Sequence, residues 1–159
     1  MSDLIAQGPG DIEGTIRSVL ERNRLAVLAT QRDGQPHASL MAFTPIDGLR
    51  FLAFATYRDT IKYASIRRDR RVAILVEDRD SGAGHPGKRL VVTALGEAIE
   101  TPDEERQRHV AAHLARHPDL LKFLSSPECE FIRVAVHAYQ VTSSVDDVRW
   151  YEIGGSAAT

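Results

Sequence analysis

Two Asp-Gly pairs, Asp33-Gly34 and Asp47-Gly48, each separate short apolar runs. Tight two-residue hairpin turns need positive φ at both central positions, and Asp-Gly meets that need at low cost. The runs LAVLAT, PHASLMAF and RFLAFA must therefore fold back on one another as antiparallel strands. Expected strands are Leu25 to Thr30, Pro36 to Phe43, Arg50 to Ala55 and Val72 to Val76. Leu90 to Glu100, Phe131 to Thr142 and Val148 to Ile153 follow. Gly96 inside one of these marks a bulge or a close backbone approach. Helices are expected over Asp11 to Asn23, capped by Asp11, and over Thr60 to Arg68, with Ile61, Ala64 and Ser65 inward. A third runs from Thr101 to about His117, with Thr101 capping, Pro102 in the first turn and Glu104 closing a capping box. Pro118 to Leu124 makes a short fourth.

Hairpins dominate, and strand-then-helix alternation does not run through the chain, so a doubly wound parallel sheet is not expected. The expectation is a mostly β fold with α: a six- to seven-stranded antiparallel split β-barrel with flanking helices. Residues 11–153 would form one domain between flexible tails at 1–10 and 154–159. DRDSGAGHPGK, Asp78 to Lys88, reads as a polar, mobile loop.

Bulk properties narrow the function classes. The chain has 159 residues, 43% hydrophobic and 26% charged, enough for a substantial core. Its net charge of −2 gives no basic field for nucleic acid. No apolar run approaches the roughly 20 residues that span a bilayer. The start, MSDLIAQGPGDIEG, lacks a signal peptide's pattern, and a single cysteine, Cys129, suits a reducing compartment. A cytoplasmic protein is expected, with no membrane and no nucleic-acid partner.

Phe51 to Asp78, FLAFATYRDTIKYASIRRDRRVAILVED, holds the densest chemistry. Thr56, Arg58, Thr60 and Lys62 lie between an apolar strand and a helix, the groups that hold a phosphate dianion. Thr60 at a helix start adds free backbone N–H groups. The alternative is a plain helix cap beside solvated Arg58 and Lys62, and the residues alone leave both open. Lys88 and Arg89 read as a solvated loop end, and Cys129 as a small buried residue. Trp150 is the only tryptophan, fit either to pack in a closing strand or to stack on a ligand. His109, His113 and His117 share one expected helix face and read as a polar surface; HVAAH lacks the Glu of a zinc motif, so no metal is expected. No catalytic residue is assigned.

LATQRDGQPHASLMAF, FATYRDTIKYASIRRDRRVAILVED and VVTALGEAIE together resemble the pyridoxamine 5'-phosphate oxidase-like FMN-binding split barrels, over roughly Leu25 to Tyr151. IKYASIRRDRRVAILVED and HLARHPDLLKFL are most similar to the haem-utilisation branch, without that branch's additional C-terminal domain. The resemblance implies FMN as cofactor, with haem and deazaflavin as alternatives. It implies a homodimer with flavin at the interface and a flavin-dependent oxidoreduction of a small molecule; the rival functions are haem binding or degradation, a non-catalytic flavin-binding or stress protein, and a deazaflavin-dependent reductase. The implied cofactor residues are Thr56, Arg58, Thr60 and Lys62 at the phosphate, the backbone of Ser39, Leu40 and Met41 along the ring, and Trp150. As an ordinary barrel strand, the same segment would turn Leu40 and Ala42 to the core. His37 and His137 are the candidate haem ligands. Ile61 and Val91 stand where the family has Arg and Gln, and IRVAVHAYQV lacks its Arg/Glu/Phe/Trp pattern, so pyridoxamine is not the expected substrate.

Overall fold

The computed structural model describes residues 9–78 and 89–154. Lys88, His85 and most of the expected 78–88 loop lie outside these residues, as do 1–8 and 155–159.

Eight antiparallel strands form one curled sheet, a split barrel. They are β1 (Leu25–Arg32), β2 (Gln35–Ala42), β3 (Thr44–Ile46), β4 (Phe51–Tyr57), β5 (Arg71–Asp78), β6 (Leu90–Glu100), β7 (Cys129–Ser144) and β8 (Asp147–Glu152). The order is β2-β1-β5-β6-β7-β4-β3. Sixteen-residue β7 is long enough to give one edge to two partners: β4 pairs with its first half and β8 with its second. The short β3 was not expected; Pro45 and only three paired residues hid it. The Asp33-Gly34 turn forms as expected, joining β1 to β2 over two residues with φ of 53° and 80°. Asp47 and Gly48 also take positive φ, 53° and 72°, but they lie in the 47–50 loop that joins β4 to the short β3, so β4 folds back on β3 and not on β2 as expected.

Helices α1 (Pro9–Arg22) and α2 (Ile61–Arg68) pack on the inner face, contributing Ile16, Val19, Leu20 and Ile66 to a core with Leu28, Phe43, Leu52, Phe54, Ile74 and Tyr139. In α2 the inward pair is Ser65 and Ile66; Ile61, at the first turn, is exposed. Asp11 lies inside α1 rather than capping it, because the helix starts two residues earlier at Pro9.

Helices α3 (Asp103–Arg116) and α4 (Leu121–Leu124), joined by a 3₁₀ turn at Pro118–Leu120, belong to the opposite side of the sheet. Val110, Ala112 and Leu124 meet Ile46, Ala53 and Phe131 in a second core. This is why β4 reads as an unbroken apolar run: both of its faces are covered. The expected capping box is absent. Pro102 takes the cap position, the Glu105 and Arg106 N–H groups both reach its carbonyl at 2.9 Å, and Thr101 Oγ1 is buried without a partner. Arg116 from α3 donates to the Leu20 and Asn23 carbonyls and so closes the C-terminus of α1.

Among the described residues, outer coverage is one-sided. α3 and α4 cover β3, β4 and the start of β7, while a continuous row of side chains crosses the remaining strands. Val27 is opposite both Leu40 and Leu75; Leu75 is opposite Thr93, Thr93 opposite Gln140, and Gln140 opposite Trp150. Leu40 is 66% exposed and Trp150 54%. Among the described residues no helix is long and apolar enough to cross a membrane.

Candidate functional site

Thr56 ends the inward-facing series Leu52, Phe54, Thr56 of β4 and is buried. Thr60 caps α2 three residues after the strand, with extended backbone (φ −100°, ψ 155°), its Oγ1 accepting from Tyr63 N–H at 3.2 Å. The two hydroxyls meet at 2.8 Å, and both also reach the Tyr57 carbonyl, at 3.1 and 3.0 Å. Two protons serve this cluster. Either hydroxyl can donate to the carbonyl while the other donates to its neighbour; an anion takes one proton by a simple rotation. The first-turn N–H groups of Ile61 and Lys62 have no acceptor within the helix and face the same end. Lys62 is half-buried, and no carboxylate pairs with it among the described residues. Two hydroxyls and the free backbone donors meet at this end of α2, and Lys62 lies in the same first turn, residue types that suit a phosphate group.

Arg58 goes elsewhere. Its Nε donates to Glu130 Oε1 at 2.6 Å, with Glu128 3.8 Å away, and Glu130 raises its pKa further. Both acids follow from the β4–β7 register, which sets Thr56 opposite Glu130. Arg58 is thus tied to β7 and not grouped with the hydroxyls. Arg89 is likewise held by Glu77.

β2 is the last strand in the sheet order, so one of its edges is unpaired. Alternate residues among Ser39, Leu40 and Met41 turn their backbone N–H and C=O groups into that open edge, where a planar ligand with donors and acceptors can bind. Their side chains reverse the burial expected of an ordinary barrel strand. Met41 enters the core, Leu40 stands outside and Ala42 is only partly covered. On the inner side Ser39 Oγ, His37 Nδ1 and the facing Thr30 Oγ1 are buried without hydrogen-bond partners, unmet capacity beside the same strand. Leu40 also borders a hollow of about 280 Å³ lined by Leu25, Val27, Leu75, Arg24 and Glu77. Trp150 lies at the far end of the outer row, not in the core.

The histidines divide differently from expectation. His37 on β2 and His137 on β7 lie four strands apart in the sheet, so the fold does not bring them together. His137 is the extra residue of a bulge: Leu95 pairs with Ala138, Gly96 with Val136, and nothing on β6 pairs with His137. His109, His113 and His117 are buried rather than a polar surface, because α3 turns that face onto β3 and β4. The buried stripe is missed from sequence because histidine is counted polar; only its strict spacing signals a shared face. No cluster of three metal-ligating side chains occurs among the described residues. Cys129 is buried, which raises its thiol pKa, as its isolated position suggests.

A family model described as "Pyridoxamine 5'-phosphate oxidase" matches residues 12–143. No curated protein matches the chain in sequence. Among solved structures, a haem-binding protein from Mycobacterium smegmatis superposes with a TM-score of 0.80 at 17% identity, over 88% of this chain. The chain spans 57% of that protein's length. A putative pyridoxamine 5'-phosphate oxidase from Listeria innocua gives 0.67 at 25% identity, covering 84% of this chain and 99% of that one. A FAD-binding protein from Mesorhizobium loti gives 0.62 at 24% identity, covering 88% and 90%.

Proposed function

Because the chain belongs to the pyridoxamine 5'-phosphate oxidase family, we propose that it is an FMN-binding homodimer that carries out flavin-dependent oxidoreduction of a small molecule. The observation that carries this reading is the Thr56–Thr60 hydroxyl pair at the start of α2, in the same turn as a lysine that no carboxylate pairs among the described residues. Thr56, Thr60, Lys62 and the first N–H groups of α2 would hold the phosphate. The open edge of β2 at Ser39, Leu40 and Met41 would hold the ring. The flavin, when bound, supplies the hydride or electron chemistry. This chain's residues bind it, orient it and shield it from water. Arg58, held by Glu130, would keep the β4 end rigid rather than touch phosphate.

The outer row supports the dimer. Leu40, Val27, Leu75 and Trp150 give an apolar strip across six strands, interrupted by Thr93 and Gln140. A strip of this kind is covered by a second surface in stable proteins. A second copy laid across it would bring a Trp150 toward the β2 edge and enclose the ring from the other side. Leu40→Asp is expected to convert the dimer to monomer, measured by sedimentation velocity, with the circular dichroism of the folded chain unchanged. A dimer that survives this change would place the interface elsewhere.

The test of function is an FMN titration of the purified protein followed by its visible spectrum. Saturable binding with a structured flavin band is expected, followed by bleaching and reoxidation with a reductant and an acceptor. Flavin that binds but never turns over would convert the reading to a non-catalytic flavoprotein. Failure to bind FMN while binding haem or a deazaflavin would overturn it.

A further inference from the structure

The buried face of α3 carries three histidines in succession, one per turn, and their hydrogen bonding is incomplete. His113 Nδ1 is 2.7 Å from Thr44 Oγ1, but its Nε2 has no partner. His117 Nε2 donates to the Phe43 carbonyl at 2.8 Å. Neither nitrogen of His109 makes a hydrogen bond. The His113 and His117 rings are 4.7 Å apart, and His113 packs edge-on against Phe131 at 5.5 Å. The charges around them mostly oppose a further positive charge. Arg133 from β7 is bound to Glu105, and Arg108 to Asp47 of the β3–β4 turn. Arg116 and Arg24 face His117. Glu105, 4.0 Å from His109 Nε2, is the nearest acid and is already shared with Arg133. Glu105 and Asp47 favour a charged His109, and the Phe43 carbonyl and Asp119 a charged His117, but burial together with the arginines outweighs them.

We propose that the docking of α3 onto β3 and β4 is a proton-controlled latch: the docked helix holds His109, His113 and His117 neutral, and mildly acidic solution releases it. Burial lowers the pKa of all three, that of His113 to about 4, with His117 and Arg116 adding to the effect. In the released helix each returns toward the ordinary value of about 6.5. The released state therefore binds more protons, and docking stability, complete above about pH 6.5, falls as the pH drops toward 4.

The latch bears on Phe43 and Thr44, the residues that follow β2. His117 and His113 hold that β2–β3 junction by hydrogen bonds to the Phe43 carbonyl and the Thr44 hydroxyl. Resting on the FMN reading above, release of α3 would also loosen the strand that holds the ring.

Amide hydrogen exchange on the full chain, corrected for intrinsic rates, tests the latch without reference to any cofactor. Between pH 6 and 5 the opening of 103–116 should increase more than tenfold, since more than one proton is taken up, while β5 and β6 stay protected. His109→Met, which removes an imidazole bonded at neither nitrogen, should make that dependence shallower, by at most one proton or tenfold per pH unit. An unchanged dependence in the variant, or α3 and the sheet opening together, would overturn the proposal. If the variant does not fold, the imidazole resonances of the native chain decide: three histidines titrating near 6.5 with α3 still docked would equally overturn it. Flavin loss without α3 opening would count against the FMN coupling alone.

Discussion

Thr60→Ala combined with Lys62→Ala is expected to weaken FMN binding by about 10²- to 10³-fold while the chain stays folded. Hydrogen bonds to a charged group contribute about 1.5–3 kcal/mol each. Loss of one hydroxyl and one ammonium from a phosphate dianion thus amounts to about 3–6 kcal/mol, and for partly solvated groups the lower part of that range applies, which gives the stated change in Kd. Folding is affected much less. Losing a Thr cap costs about 1 kcal/mol, and Thr56 keeps the Tyr57 carbonyl as its partner. Arg58→Ala is the control: because Arg58 is engaged with Glu130, its loss should change FMN affinity by less than about threefold, and isothermal titration of the folded variants separates the cases. Wild-type affinity in the folded double variant would remove the phosphate assignment.

Gly96→Ala is expected to destabilise the fold by about 3 kcal/mol, the upper range for inserting a methyl group into a packed interior. The cause is geometric. A Cβ at this position would collide with the Ala135 backbone carbonyl and lie 2.9 Å from Val134 Cγ1. Neither neighbour can move freely, since β7 is paired on both edges there. For a domain of this size the melting temperature should fall by roughly 6–12 °C. Gly34→Ala removes the glycine of a turn with open space around it, so a comparable loss there would show that backbone conformation, not crowding, dominates such substitutions.

Much of this was legible from residue patterns. Asp33-Gly34 and Asp47-Gly48 signalled their hairpins because positive φ leaves few choices of residue. Gly96 signalled a bulge or a close backbone approach, and the structure has both there. Thr60 was read as the start of a helix, and it is the cap. Other features depended on which face of an element finds a partner. β2 alternates, but alternation does not say which set is inward; Met41 went to the core and Leu40 to the outside. The three histidines of α3 looked solvated because histidine is usually polar surface, whereas β3 and β4 offered that face a cover. Thr101 and Glu104 matched a capping pattern, yet Pro102 displaced the cap by one residue. The pairing of Arg58 with Glu130 comes from the β4–β7 register and spans 72 residues, so no local pattern contains it.

The strand β7 has a consequence for how the chain is made. It zips β4 to β6 along one half and carries β8 along the other. During synthesis, β4 and β6 each wait with an open edge until residues 129–144 emerge from the ribosome. Barrel closure is therefore a late event, set by contacts distant in sequence, and open edges are the usual sites of mispairing between nascent chains. Substitutions that weaken β7 should then reduce the yield of soluble protein more than their effect on the finished molecule's stability would suggest.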